Sequence, residues 1–367
     1  MNADLPFQIA LTQLPQIGPV CARQLVEHLG TAEAVFKTAS HKLEKIPGMG
    51  QIRVQAIRGF NEMARAKEEA AYVEHNNIVT HFIRDKDYPQ RLLHCADAPL
   101  LLFKKGNCHL NTSKAVAIIG TRVNTNYGKG LTRELIQGLA ALDVLIVSGL
   151  AFGIDALAHR YALEYGLPTV GVMANGIDLV YPPHHLSLAQ DMMQNGGAVL
   201  TEFMSGTLPD RHHFPLRNRI VAGLADAIVV VETGDRGGSL ITADLAWGYN
   251  RDVFAFPGRV SDLRSAGCNE LIRQNKAGLL RSPSDLIEAL NWDEKKTARR
   301  EPQRLLFVDL SADEDCLLKI LGTAEKVSID ELNWQSGLSA SQVAAALLGL
   351  ELKNLVVSLP GRYYQLQ

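Results

Sequence analysis

The sequence predicts an α/β fold with a Rossmann-like parallel sheet domain, preceded by a helical domain and followed by a winged-helix domain. Three observations lead to this prediction. The middle of the 367-residue chain alternates short apolar runs with helix-compatible segments. Residues 1–76 contain short helical stretches joined by glycine turns, and residues 306–367 contain three helical stretches and a hairpin. A chain of this length is sufficient for two or three domains.

The central sheet is predicted from continuous apolar runs, which are typical of parallel strands buried on both faces. The runs are Ala115–Gly120, Val144–Ser148, Thr169–Met173, Ala198–Thr201, Ala227–Glu232 and Asp252–Phe256. Helices are expected between them at Lys129–Leu142, Asp155–Tyr165, Leu186–Gln194, Asn218–Leu224 and Leu240–Tyr249. The alternation places helices on both faces of the sheet. Residues 78–114 are predicted to be only a connecting segment with two X-Pro turns.

Two similar patterns open the chain. Leu14–Pro19 precedes a helical run at Val20–Leu29, and Ile46–Gly50 precedes another at Gln51–Gly59. Together they resemble a pair of helix-hairpin-helix (SAM-like) units, whose glycine turns expose N–H groups that bind phosphates without sequence preference. The alternative is a helical bundle that serves packing alone. Residues 1–76 hold eight basic and eight acidic residues, which weakens the DNA-binding interpretation.

The end of the chain predicts a linker and a winged helix. Residues 291–305 are polar and charged, as in a linker. Helices are expected at Glu314–Leu321, Ile329–Ser336 and Ala340–Lys353, and strands at Leu355–Leu359 and Tyr363–Leu366. From residue 306 onward, four basic residues stand against eight acidic ones, which does not suit a helix entering a phosphate-rich groove. We therefore expect a protein-interaction or regulatory module. The predicted domains are 1–76, 77–290 and 306–367, joined by the linker.

Composition excludes several classes of protein. No run of about 18 apolar residues occurs, so no membrane span is expected. The N-terminus lacks the basic and apolar parts of a signal peptide, and five scattered cysteines indicate neither a disulfide framework nor a zinc site. These features indicate a cytoplasmic protein. The formal net charge of −2 excludes a globally basic nucleic-acid coat protein and leaves a local basic pocket open.

The loops that follow the predicted strands are the candidate site, because open parallel sheets bind ligands beyond the carboxyl ends of their strands. Glycines in these loops begin helices whose free N–H groups suit phosphate oxygens. No dinucleotide fingerprint and no Walker A lysine is present, so no cofactor is expected. The alternative is that the glycines only let helices pack closely on strands. The candidate backbone contacts are Gly120, Ser148, Gly149, Gly153, Gly238 and Ser239.

Residues 211–219 are the most informative segment. They hold three arginines, two histidines and one phenylalanine, without an acidic residue. Arginine presents a planar, permanently charged fork to phosphate, and Phe214 can stack on an exposed base. No nucleophilic triad and no metal-ligand spacing is evident, so neither catalytic residues nor a metal is predicted. The candidate side-chain contacts in this segment are Arg211, Phe214, Arg217 and Arg219.

Four motifs in order, Gly120–Arg122, Ser148–Asp155, Phe214–Arg219 and Gly238–Thr242, resemble the signature series of the DNA processing protein A (DprA/Smf) family. The resemblance implies a protein that is not an enzyme and that binds incoming single-stranded DNA in natural transformation. It also implies protection from nucleases, loading of the RecA recombinase, and a homodimer formed through the Rossmann-like domain. Some members carry a lysine after a Tyr-Pro pair, and this chain has Pro183 there.

The residues that the resemblance matches define a binding hypothesis. The pocket arginine of the family falls on Arg122. Its basic and aromatic residues fall on Arg211 and Phe214, and the R-x-N-R-like run that follows them falls on Arg217-Asn218-Arg219, which makes Arg122 and Asn218 candidate contacts as well. We expect Arg122, Arg211 and Arg217 to neutralise successive phosphates, N–H groups near Gly149 and Gly238 to bind others, and Phe214 to stack on a base. Such a site prefers single strands and reads little sequence, and a dimer would gain avidity from two sites.

Two other functions remain open from the sequence. The run Gly237–Asp244 resembles the loop of Rossmann-like nucleotide phosphoribohydrolases, but Ser239-Leu240-Ile241 breaks the pattern and Asp244 is shorter than the expected acid. Release of free base from nucleotides would reveal such an enzyme. The third possibility is an adaptor whose terminal modules recruit other proteins.

Overall fold

The computed structural model describes residues 2–292, 310–322, 326–353, 355–359 and 363–366. The chain forms two compact units, Met1–Asp293 and Glu294–Gln367. The first unit contains both the predicted helical domain and the predicted sheet domain, and the boundary between them at residues 76 and 77 stays a prediction. Beyond Trp292, the predicted linker lies outside the described residues.

Six helices open the first unit. They are α1 (Leu5–Thr12), α2 (Pro19–Leu29), α3 (Ala32–Lys37), α4 (Ser40–Leu43), α5 (Gln51–Arg58) and α6 (Met63–His75). Gly18 and Gly50 are the N-caps of α2 and α5, so both predicted turn-helix patterns are confirmed to within one residue. Glu69 of α6 is fully buried, and its carboxylate accepts a 2.8 Å bond from the Ser205 amide. This bond ties the helices to the sheet domain.

A nine-stranded sheet forms the centre of the first unit. Its strands are β1 (Val79–Phe82), β2 (Leu101–Gly106), β3 (Ala115–Ile119), β4 (Leu145–Ser148), β5 (Thr169–Val172), β6 (Ala198–Thr201), β7 (Ala227–Val230), β8 (Asp252–Ala255) and β9 (Gly278–Leu279). Their spatial order is β1-β2-β6-β5-β4-β3-β7-β8-β9. Strands β3 to β9 pair in parallel. Six of them, β3 to β8, were predicted from their apolar runs, and β9 is an addition.

The segment predicted as a mere connection is structured. Residues 78–114 contain β1, β2 and the short helix α7 (Gln90–Leu93). Strand β2 pairs antiparallel with both β1 and β6, so it extends the sheet at one edge. The prediction was wrong because it gave weight to the two X-Pro turns, whereas Leu101, Leu102 and Phe103, which follow the second turn, are buried. Burial of this apolar run favours strand formation.

Helices cover both faces of the sheet. They are α8 (Asn126–Leu139), α9 (Ile154–Glu164), α10 (Leu186–Gln194), α11 (His213–Leu224), α12 (Gly238–Gly248), α13 (Ala266–Arg273) and α14 (Pro283–Ala289). Successive residues of β3 point to opposite faces. Val116 and Ile118 pack into the core with α8 and α9, and Ala117 and Ile119 pack into the core with α10, α11 and α12. The predicted two-sided burial is therefore confirmed.

The strand order reverses at β3. The chain leaves β3 through α8 to pair β4 on one side, and it returns later to pair β7 on the other side. Helices on the two sides of such a point diverge and leave a crevice at the carboxyl ends of the strands. Here the switch point lies between β3 and β7, which end at Ile119 and Val230.

The second unit has the winged-helix element order. It contains α15 (Ala312–Leu321), β10 (Val327–Ser328), α16 (Ile329–Ser336), α17 (Ala340–Leu352), β11 (Val356–Leu359) and β12 (Tyr363–Leu366). The strands pair antiparallel in the order β10-β12-β11. Ser311 and Ser339 form capping boxes at the starts of α15 and α17, which fixes where both helices begin. The three predicted helices and the hairpin are confirmed, and β10 is an addition.

Candidate nucleic-acid interface

A cleft of about 580 Å³ lies at the point where the strand order reverses. Four segments distant in sequence line it, and we call it the switch-point cleft. The first follows β3, the second links β4 to α9, the third is the start of α11, and the fourth is the start of α12. The residues that line it are Ile119–Arg122, Gly149, Ala151, Asp155, Arg211, Phe214, Pro215, Arg217, Asn218, Val221, Gly237–Ser239, Ile241 and Thr242.

The segment predicted as a loop after the fourth parallel strand is largely helical. Helix α11 begins at His213, five residues before the predicted start. The helix begins earlier than predicted, and Pro215 is compatible with this start because proline is tolerated in the first turn of a helix. Helical spacing then places Phe214, Arg217 and Val221 on the face that lines the cleft, at positions i, i+3 and i+7. Arg219 falls on a different face.

Arg122 and Phe214 form the exposed wall of the cleft. The Arg122 side chain is exposed, and its guanidinium lies 5.1 Å from the centre of the Phe214 ring. No acidic partner of Arg122 is present among the described residues. Tyr181 lies 6.3 Å from Phe214 and faces an adjoining pocket of about 100 Å³. A free cation beside half-exposed aromatic rings can bind a phosphate and stack the base next to it.

Arg211 and Asn218 also line the cleft. Arg211 is exposed, and its contact in the structure is the neighbouring ring of His212, 3.2 Å from Nε. Asn218 is half-buried and accepts a 3.2 Å bond from Nε of Arg217. Arg211 is therefore available to an anion, as predicted, and Asn218 is held at the base of the same wall.

Arg217 lies at the floor of the cleft and is occupied by the protein. It is buried, and its guanidinium donates to the carbonyl oxygens of Gly149 and Val172 at the ends of β4 and β5. Burial lowers its pKa to about 10, and the nearby Asp155 carboxylate opposes this change. Burial raises the pKa of Asp155 in turn, while Arg217 opposes the rise. Nη1 and Nε of Arg217 already donate to protein acceptors, which leaves less of the fork for a phosphate than expected, and the phosphate contact itself stays a prediction.

Arg219 and Ser148 lie outside the cleft. Arg219 is buried in an ion pair with Glu202 and donates to the carbonyl oxygen of Asp97. Ser148 is fully buried and donates a 2.6 Å bond to the carbonyl oxygen of Ile118. Both positions are at odds with predicted DNA contacts. These side chains hold the sheet and α11 in place.

Most of the predicted glycines serve close packing. A Cβ on Gly149 would lie 2.7 Å from the Arg217 guanidinium, and a Cβ on Gly120 would lie 2.5 Å from Cγ1 of Ile154. Gly153 has φ of +78°, and its Cβ would overlap the carbonyl oxygen of Thr121. The packing interpretation fits these three positions. Because Gly120 and Gly149 line the cleft, their main chain still forms part of its wall.

The start of α12 is different. Gly238 has no atom within 4 Å of a Cβ position, so the space beside it is open. Ser239 is buried and donates a 2.7 Å bond to Oγ1 of Thr233. Gly237, the N-cap of α12, has no side chain that could accept a bond from the first N–H groups of the helix. The first N–H groups of α12 therefore face the cleft and suit an anion.

Glu232 is a supporting residue that the sequence analysis missed. It lies just after β7 and is 1% exposed. Its carboxylate accepts bonds of 2.8 Å and 2.6 Å from the amide and hydroxyl of Thr125, the N-cap of α8. These bonds fix the segment that carries Arg122. Its position directly after an apolar strand run was the available sequence signal.

No metal site and no membrane span is evident in the described part of the chain. No group of three or more His, Cys, Asp or Glu side chains there is placed to hold an ion. None of the described helices is long and apolar enough to cross a membrane.

Comparison with known proteins identifies relatives along the whole chain. Residues 79–291 match the family model of DNA recombination-mediator protein A, residues 301–362 match the DprA winged helix domain, and residues 9–58 match the SAM-like helix-hairpin-helix tandem. Protein Smf of Synechocystis is 32% identical and covers 99% of both chains. DNA processing protein DprA of Streptococcus pneumoniae is 43% identical over 56% of this chain and 72% of its own.

Solved structures agree with this comparison. DNA processing protein A of Streptococcus pneumoniae superposes with a TM-score of 0.66 at 32% identity, over 77% of this chain and 97% of that one. DNA processing protein A of Helicobacter pylori, whose structure concerns its single-stranded DNA binding mode, gives a TM-score of 0.53 at 31% identity, over 59% and 96% of the two chains.

Fold and site together define a Rossmann-like protein with an arginine-lined cleft at the switch point of its sheet, and with helical and winged-helix modules on either side in sequence. The order of these modules and the matches above narrow the class further. The chain belongs to the DNA recombination-mediator protein A family. The predicted family and fold class are thereby confirmed.

Proposed function

We propose that this protein binds single-stranded DNA in the switch-point cleft and acts as a recombination mediator without catalysing a reaction. The observation that carries the proposal is the exposed Arg122 guanidinium, which lies 5.1 Å above the Phe214 ring. A cation and a ring on one wall match a phosphate and its unpaired base, because a base inside a duplex cannot reach the ring. The related Helicobacter pylori protein has a described single-stranded DNA binding mode, which supports the same ligand here.

The proposed contacts follow from which groups are free. Arg122 and Arg211 neutralise backbone phosphates, the first N–H groups of α12 at Gly238 and Ser239 bind a further phosphate, and Phe214 stacks on a base. Arg217 and Asn218 hold the start of α11, which carries Phe214, in place at the floor of the cleft. Phosphate contacts carry no sequence information, so little sequence preference is expected.

The biological role and the partners belong to the proposal as well. We propose that the protein protects incoming single strands in natural transformation, helps to load RecA, works as a homodimer and is cytoplasmic. A dimer presents two clefts to one strand, and the second binding event is then intramolecular. Sedimentation velocity tests the dimer, and the rate of RecA filament assembly on single strands with and without the protein tests loading.

The enzymatic alternative gains no support from the geometry. Its candidate acid, Asp244, is exposed, lies outside the cleft lining and pairs with Lys276 at 2.7 Å. The carboxylate that does line the cleft, Asp155, is held beside Arg217.

Fluorescence anisotropy with labelled single- and double-stranded oligonucleotides across a salt series tests the binding proposal. Arg122→Ala should weaken single-strand binding by about 1–3 kcal/mol and flatten the salt slope by about 0.7. Arg133→Ala is the matched control, since Arg133 is also exposed but pairs with Glu164 at 2.5 Å. The proposal fails if Arg122→Ala binds like the control variant, or if duplex binds better than single strand.

A further inference from the structure

A smaller pocket of about 100 Å³ adjoins the switch-point cleft, and we call it the Phe152 pocket. Arg122 and Phe214 line both spaces, and so does Arg217 at the floor. The exposed wall formed by Arg122 and Phe214 therefore borders both the cleft and the pocket. A strand that crosses this wall passes from one space into the other.

Two exposed aromatic rings belong to the lining of this pocket. Phe152 is 45% exposed and Tyr181 is 44% exposed. The buried His185 ring lies 5.0 Å from the Phe152 ring in an edge contact, and its Nδ1 lies 2.8 Å from the carbonyl oxygen of Leu150. Leu150 is fully buried and has a φ of +55°, which is uncommon for a residue other than glycine. The loop that carries Phe152 is therefore fixed from beneath while the ring itself stays exposed.

The pocket also contains one hydrogen-bond acceptor. Asn175 is 1% exposed, and its Nδ2 donates to the carbonyl oxygens of Gly176 and Leu179, which uses both amide hydrogens. Its Oδ1 receives no bond from a described residue and keeps accessible surface, which the pocket supplies. Every nucleobase carries an N–H donor on its pairing edge, and that edge is free only when the base is unpaired.

The size and charge of the pocket suit part of one base. A closed cavity of about 150 Å³ holds benzene, so the smaller pocket admits the edge of a ring while the rest of the ring lies against the exposed side chains. Its lining includes Arg122 and Arg217 and no carboxylate, so a negatively charged strand is not repelled.

The distance between two rings places the pocket within reach of the neighbouring nucleotide. The ring centres of Phe214 and Tyr181 lie 6.3 Å apart. Successive bases of one strand are about 3.4 Å apart along a duplex, and they are further apart in an extended single strand. Adjacent nucleotides of one strand can therefore contact both rings.

We propose that the Phe152 pocket is a second base site for the same strand. It takes the nucleobase next to the one on Phe214, with the base face on Phe152 and Tyr181 and the pairing edge toward Asn175. Arg122 then binds the phosphate between the two bases. This inference rests on the proposed function, because it requires a strand in the switch-point cleft.

Fluorescence anisotropy with a labelled oligo(dT) of about eight nucleotides tests the second base site. Phe152→Ala should weaken binding at least about fivefold with an unchanged salt slope, because one stacked base is lost and no phosphate contact is lost. Phe152→Leu keeps an apolar side chain without the ring and should bind almost as weakly, whereas Phe152→Trp should keep the wild-type affinity. An abasic strand of the same length offers phosphates without bases, and Phe152→Ala should bind it like the wild-type protein.

Two further measurements distinguish a second base from a second contact to the first one. If Phe152 and Phe214 stack on different bases, the fold-losses of Phe152→Ala and Phe214→Ala should multiply in the double variant. A clearly smaller combined loss would mean that both rings contact one base, and it would overturn the second site. Oligo(dT) should also quench the fluorescence of Phe152→Trp more than that of the wild-type protein, and equal quenching would contradict stacking at this position.

The failure of this inference can be told apart from the failure of the proposed function. If Phe152→Ala binds oligo(dT) like the wild type while Phe214→Ala binds it more weakly, the second site is overturned and the proposed function stands. Equal losses of Phe152→Ala on oligo(dT) and on the abasic strand would show that the ring only supports its loop, and would likewise overturn the second site. If the wild-type protein binds no single strand, both proposals fail together.

Discussion

Arg122 and Arg217 line the same cleft, yet their removal should change different properties. Removing Arg217 should lower the free energy of unfolding, and removing Arg122 should lower the affinity for single-stranded DNA. Arg217→Met removes a buried cation from two carbonyl oxygens, those of Gly149 and Val172, and from the neighbouring Asp155 carboxylate. Breaking a buried charge pair from one side costs about 3–5 kcal/mol, since the remaining charge stays buried without compensation. The two carbonyl oxygens lose their donor in the same event, so the upper half of that range is expected.

Arg122→Met should leave folding within about 0.5 kcal/mol of the wild type, because surface substitutions away from buried features have small effects. Its guanidinium is exposed and contacts the Phe214 ring. Urea denaturation followed by circular dichroism measures the free energy of unfolding for both variants, and anisotropy at a temperature where both are folded measures strand binding. Arg217→Met should lower the free energy of unfolding, and Arg122→Met should lower the affinity for single-stranded DNA without lowering stability.

A double variant sharpens the comparison. Asp155→Asn in the Arg217→Met background removes the uncompensated carboxylate charge and should recover part of the lost stability, which a double-mutant cycle measures. If Arg217→Met unfolds within 1 kcal/mol of the wild type and loses strand affinity as Arg122→Met does, the assignment of Arg217 to the floor of the cleft is refuted. It would then be a phosphate ligand.

Three further predictions concern the cleft and the core beneath it. Gly153→Ala should destabilise the protein more than Gly166→Ala. Both positions have positive φ, but only a Cβ on Gly153 overlaps a neighbour, the loop that carries Arg122. Thermal melts of the two variants measure the difference. Phe214→Ala should weaken single-strand binding by about 1–3 kcal/mol with an unchanged salt slope, since stacking releases no counterions; an altered slope would contradict this. Burial lowers the pKa of His159 in the folded protein to about 3. As the pH falls below about 6.5, His159 therefore binds a proton in the unfolded chain while it is still neutral in the folded one. Stability should then decline by up to about 1.4 kcal/mol per pH unit from this group, and His159→Gln should show a shallower decline in urea melts between pH 7 and pH 5.

Much of the fold follows from local pattern. The apolar runs at β3, β4 and β7 predicted parallel strands, and the ends of those strands predicted where the cleft lies. Strands β1 and β2 could not be predicted in the same way. Their pairing is antiparallel and they join the edge of a sheet formed by later residues, so their burial depends on contacts that no local window contains.

The sequence predicted several residues that line the cleft, but it did not predict which way the side chains of Arg217 and Arg219 point. Arg122, Arg211 and Phe214 line the cleft, as the resemblance implied, and the predicted DNA contacts themselves stay untested. The roles of Arg217 and Arg219 depend on the phase of α11, which turns one guanidinium onto carbonyl oxygens and the other onto Glu202. A sequence shows three arginines in one segment, but only the helix geometry shows which of them are free.

The four segments that line the switch-point cleft have a consequence for how the protein is made. The earliest begins at Ile119 and the latest ends at Thr242, so the growing chain cannot complete the cleft until α12 has left the ribosome. Before that point one of its four segments, the start of α12, is missing. On the proposed function, a chain that stops short of α12 should bind single strands more weakly than the complete chain, because it lacks the N–H groups of that helix start.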